Sequence, residues 1–103
     1  MDIKNIRQAQ VYDEQHLKKV DLFHEKESSA FVINLMPGQS LPAHRHPGHQ
    51  VYLMVFEGEG ECSIDENRHH LAWRDVLRCG GNKQLSLKNS GRKLMSVYVV
   101  LTK

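Results

Sequence analysis

The chain has 103 residues, with 40% hydrophobic and 25% charged residues and a formal net charge of +2. That length gives one domain with one core, and the composition excludes a disordered chain. Near-neutral charge without a basic stripe argues against a nucleic-acid partner, and the longest apolar stretch, residues 51–56, is far short of the roughly 20 residues of a membrane helix.

Helical signal is confined to residues 13–19, enough for a turn or two. Residues 20–24 alternate polar and apolar and read as a strand. Residues 30–36 form a β-rich run that Pro37-Gly38 stops. In the segment that follows, His44 and His46 are one residue apart on extended chain, so their side chains point to the same side. Residues 50–56 make the next strand, closed by Glu57-Gly58-Glu59-Gly60. Further strands are read at 61–65, 69–73, 75–79, 84–89 and 93–102, with turn signals at Glu66-Asn67-Arg68, Gly80-Gly81-Asn82 and Asn89-Ser90-Gly91. Short strands at this spacing predict an all-β sandwich or barrel.

The run from Val51 through Phe56 is apolar at every position, so it reads as buried on both faces. One face lines the interior; the other is covered by a second subunit or by the chain's own N-terminal segment. The expectation is a single domain over residues 1–103 that forms a homodimer, with residues 1–27 strand-forming and packed at the interface. Trp73 is expected in the core. Cys62 and Cys79 are the only thiols, with no Cys-x-x-Cys spacing, and no apolar signal core follows Met1. Both are read as free, buried thiols of a cytoplasmic protein.

Residues 38–60 resemble the first motif of the cupin family: a Gly, five residues, His-x-His, three or four residues, a Glu, six residues and a Gly. Gly38, His44 and His46 fit it without a gap, and the Glu-Gly-Glu-Gly ending also looks like a cupin strand pair. Residues 74–91 resemble the second motif more loosely. That motif runs Gly-Asp, hydrophobics, Pro-x-Gly, two residues, His, three residues, Asn; Arg74 and Gly80 stand in place of its first Gly and its Pro. The resemblance covers about residues 28–102 and implies a double-stranded β-helix, the jelly-roll or cupin barrel.

Metal sites in that family use three histidines and a glutamate around iron, manganese, nickel, copper or zinc. Here the glutamate position falls on Gln50 or Val51, depending on the count, and the last histidine falls on Gln84 or Leu85. The resemblance therefore implies a candidate metal set of His44, His46 and Gln50 that lacks an anionic ligand and holds a divalent transition metal weakly. If Gln50 points inward, so does Tyr52; if Val51 does, the interior is almost wholly apolar. Arg78, a charge within a strand, suits a carboxylate or phosphate of a ligand, or else an edge position or a local acid. Tyr52, Arg78 and Gln84 are the candidate ligand-binding residues.

The leading reading is a small single-domain cupin that binds a small organic ligand in the barrel interior, with at most a weak or incomplete metal site. The alternative is a metal-dependent cupin enzyme of the dioxygenase or sugar isomerase/epimerase type. A third reading is a structural dimer with no ligand. Fold alone does not choose among them.

Overall fold

A computed structural model describes all 103 residues. Its only helical element is a 3-10 turn, η1, at Ile6–Ala9, where the Asn5 side chain accepts a hydrogen bond from the Arg7 amide at 2.9 Å. The helical turn expected within residues 13–19 does not form. There the Asp13 carboxylate accepts from the Gln15 amide at 2.8 Å, a local turn that competes with helix.

Nine strands follow: β1 Lys18–His24, β2 Ser28–Leu35, β3 Ser40–His44, β4 Gln50–Glu57, β5 Gly60–Ile64, β6 Asn67–Leu71, β7 Val76–Gly80, β8 Leu85–Lys88 and β9 Met95–Thr102. They form a five-stranded sheet, β1-β2-β9-β4-β7, and a four-stranded sheet, β3-β8-β5-β6. Every pairing is antiparallel. Neighbours distant in sequence, such as β2 with β9 and β3 with β8, make this a double-stranded β-helix. No helix is long and apolar enough to cross a membrane.

The pleat decides which residues meet between the sheets. Phe31, Ile33 and Leu35 of β2, Val51, Leu53 and Val55 of β4, and Val97 and Val99 of β9 pack against Cys62, Leu85 and Leu87 of the opposite sheet. Leu35, Val55, Met95 and Val97 have no exposed surface, so the centre of the sandwich is filled. Both thiols are free and buried in this core.

β4 is not buried on both faces. Its inward residues are closed off, whereas Tyr52 on the outer face is 43% exposed. The N-terminal segment covers another part of that outer face. Ala9 is buried over β2, and the Asn34 side chain donates to the Ala9 carbonyl at 2.8 Å while accepting from the Ser96 hydroxyl at 2.6 Å; Tyr12 hydrogen-bonds that same hydroxyl. The N-terminal segment thus packs on its own sheet, and residues Lys18–His24 form a strand as expected. Replacing Asn34 by Ala leaves the Ala9 carbonyl and Ser96 hydroxyl short of a partner. It should lower the urea midpoint by an amount equivalent to roughly 2–4 kcal/mol and speed proteolysis of the first dozen residues.

Candidate functional site

β3 carries Pro42 and lies at the edge of the four-stranded sheet, the place in a sheet that tolerates proline. Its register shifts between Leu41 and His44, and His44 then pairs with Leu85. Directly opposed residues share a face, and Leu85 is 4% exposed in the core, so His44 lies on the interior side of its sheet. The His44 and His46 rings meet edge to face, with centroids 4.5 Å apart and planes at 74°.

Hydrogen bonds fix this pair. Nδ1 of His44 lies 2.9 Å from the Pro42 carbonyl, which can only accept, so Nδ1 carries the proton and Nε2 is left for a ligand. The His46 amide donates to the Gly81 carbonyl at 2.7 Å, and the Gly81 amide donates to the His49 carbonyl at 2.8 Å. Burial, seconded by the nearby His44, His49 and Lys19, holds the His46 imidazole below its ordinary range. It is therefore neutral at pH 7. Lys19 projects over the Phe31 ring, 4.4 Å from its centroid.

The other predicted site residues scatter. Val51, 2% exposed, occupies the inward position, and Gln50 lies on the outer face, where its Oε1 accepts from Arg78 Nη1 at 3.0 Å. Tyr52 pairs with Arg78 across β4 and β7 on that same outer face. Gln84 is exposed beside the β5–β6 turn, its amide donating to the Asp65 carboxylate at 2.9 Å. Gln50, Tyr52 and Arg78 are thus together, but outside the barrel, and Gln84 joins neither them nor the histidines.

The inward residues do not fit the metal set that the sequence motif implies. Two imidazoles are present, but Val51 and Leu85 offer no donor where a carboxylate and a third imidazole would be needed. No three His, Cys, Asp or Glu side chains converge anywhere to hold an ion. His16, His24, His69 and His70 are exposed on other elements.

Sequence reasoning misplaced Trp73. It is 54% exposed, in the turn between β6 and β7, with its indole N–H donating to the Phe56 carbonyl at 3.1 Å and the Arg74 guanidinium 3.9 Å from its ring. Flanking Arg74-Asp75 gave a hint, since charges beside an aromatic residue suit a turn. A cleft of about 850 Å³ runs from Trp73 past Glu57 and Glu59 to Arg92.

The pattern of the cupin domain matches residues 31–101, and the chain belongs to that family. No curated protein matches it. Among solved structures it is similar to the TT1209 protein from Thermus thermophilus, at 22% identity and a TM-score of 0.92 over 99% of this chain and 97% of that one. An RmlC-like cupin protein from Desulfovibrio desulfuricans is 22% identical, with a TM-score of 0.88 over 99% and 96% of the two chains. An uncharacterized conserved protein with a double-stranded β-helix domain from Klebsiella pneumoniae is 20% identical, with a TM-score of 0.91 over 99% and 90%. Likeness at this level of identity establishes the fold alone.

Packing around the site makes two expectations measurable. A Cβ at Gly81 would overlap the His46 carbonyl, so Gly81→Ala should destabilise the protein by about 2–3 kcal/mol in thermal melts and displace the His46–His49 turn. Burial pushes both thiols upward, Cys79 and Cys62 alike. At pH 8 the native protein should leave a thiol reagent such as DTNB almost untouched, with both cysteines titrating only after denaturation.

Proposed function

We propose that this cupin is a cytoplasmic homodimer that binds a small organic ligand at the open end of its barrel, through His44 and His46, without a catalytic metal. The observation that carries this reading is the composition of the mouth. Two imidazoles, with a free Nε2 on His44, meet edge to face beside the strand pair in which His44 is set against Leu85. Such a pair suits a compound that presents a hydroxyl or carboxylate to the imidazoles. Because the centre of the sandwich is filled, the ligand sits at the rim and not deep within. Free, buried thiols support a reducing compartment.

A thermal-shift screen of small hydroxy acids, keto acids and phenols tests this reading. A ligand at 100 times its Kd should stabilise the wild type by about 2.7 kcal/mol, and His44→Ala with His46→Ala should abolish the shift. A screen without a hit, or hits that survive the double substitution, would overturn it.

The metal-dependent oxygenase or isomerase reading draws on the same histidine pair, with iron, manganese, nickel, copper or zinc held weakly. Metal analysis of protein grown with each ion separates the two readings. Stoichiometric metal in the wild type, lost in the double variant, would replace the metal-free reading with the enzyme. Trace metal under every supplement would remove the enzyme.

A further inference from the structure

The outer face of the five-stranded sheet is covered over β2 by the chain's own N-terminal segment, through Ala9, Asn34 and Ser96. Over β4 and β7 it is bare. There a groove of about 590 Å³ is lined by Tyr52, Met54, Val76, Tyr98 and Val100, with Arg78 at one end. Val76 keeps 75% of its surface exposed. Further along β4, Phe56 and the exposed Trp73 line the second cleft, with Glu57 and Arg92.

We propose that this bare half is where a second copy of the chain docks, sheet face on sheet face, about a twofold axis lying between the sheets and perpendicular to the strands. The inference rests on the homodimer reading and adds its location and geometry.

Area comes first. With aromatic side chains of roughly 150–250 Å² each, the exposed parts of Trp73, Tyr52, Val76 and their neighbours come to about 500 Å² per copy; a symmetric pair buries about 1,000 Å² before the rim is counted, the threshold of a specific interface. An apolar patch of this size on so small a domain marks an interaction surface. Trp73 is already fixed by its hydrogen bond to Phe56 and by the stacked Arg74, so it loses little freedom as an anchor.

Charge selects the axis. Met54 pairs with Val76 at the middle of the strip, Arg78 lies two residues to one side of it beside Tyr52, and Glu57 lies to the other side at the end of β4. Neither Arg78 nor Glu57 has an ion-pair partner within its own chain. An axis perpendicular to the strands exchanges the two ends, and brings Arg78 of one protomer towards Glu57 of the other, at the end where Arg74 already stacks on Trp73. An axis parallel to the strands would set Arg78 against Arg78.

Sedimentation equilibrium on the full chain tests this. The wild type should behave as twice its 11.9 kDa mass at tens of micromolar. Val76→Asp should raise the dimer dissociation constant at least 100-fold with an unchanged circular dichroism spectrum. Arg78→Glu should weaken association about 10-fold, and Arg78→Glu with Glu57→Arg should restore it. Trp73 is the only tryptophan, so diluting the wild type through dissociation should red-shift its emission. A monomeric wild type would overturn the homodimer reading together with this one. A dimer that Val76→Asp leaves intact, or that dissociates without a change in Trp73 emission, would overturn the docking face alone. A dimer that the charge swap does not restore would overturn the axis.

Discussion

The register of β4 between β9 and β7 is the constraint on which the rest depends. Val51 pairs with Leu101 on one side and Cys79 on the other, and Leu53 and Val55 continue the same face inward. A slip of one residue would turn Val51, Leu53 and Val55 out to water and bring Gln50 and Tyr52 into the core. Each buried aliphatic side chain contributes on the order of 1.5–3 kcal/mol, so that alternative is closed. The pleat therefore settles what counting along a motif cannot. Val51 lies inside, and Gln50 is an outer-face residue bonded to Arg78.

That placement governs the chemistry of the mouth. An inward carboxylate would offset the charge of a metal ion and raise the basicity of the imidazoles beside it. Val51 does neither. His46 is instead left in a partly buried position whose only nearby charges are cationic, which favours its neutral form and makes it a hydrogen-bonding group. His44 is likewise oriented by a backbone carbonyl and not by a carboxylate. Two such imidazoles can donate and accept hydrogen bonds, and they lack the anion that would help to hold a cation.

How much of this was legible follows from what a local pattern encodes. Alternating runs and turn residues marked eight of the nine strands, because side-chain period and chain reversal are local properties. β3 did not register as a strand in its own right: Pro42 lies in the middle of its five residues, and only an edge position makes that acceptable. Which face of a strand is covered is a global property. An apolar residue at every position from Val51 to Phe56 reads as double burial, yet Tyr52 stays open because the N-terminal segment lies over β2 and stops short of it. Trp73 was misassigned for the same reason, since hydrophobicity alone does not say on which side of the last turn a residue falls. The histidine pair was legible because two residues one apart on extended chain share a face whatever the tertiary structure. Its missing partners stayed ambiguous between adjacent positions, and adjacent positions on a strand face opposite ways.

The edges of the two sheets bear on how copies of the chain can meet. Strand edges present unpaired amides and carbonyls, and proteins protect them with charge or proline. β1 carries Lys18, Lys19 and Asp21, β3 carries Pro42, β6 carries Arg68, His69 and His70, and β7 carries Arg78. Each of the four edges is thus defended against strand addition, and β7 is a short strand whose neighbour β4 pairs with it only as far as Met54. The apolar surface that remains lies on a sheet face, between the covered β2 and the edge at β7. Contact through that face leaves the edges free and buries side chains without asking any backbone group to change partner. The inner and outer faces of β4 thus differ: one closes the core through Val51, Leu53 and Val55, and the other leaves Tyr52 open to solvent.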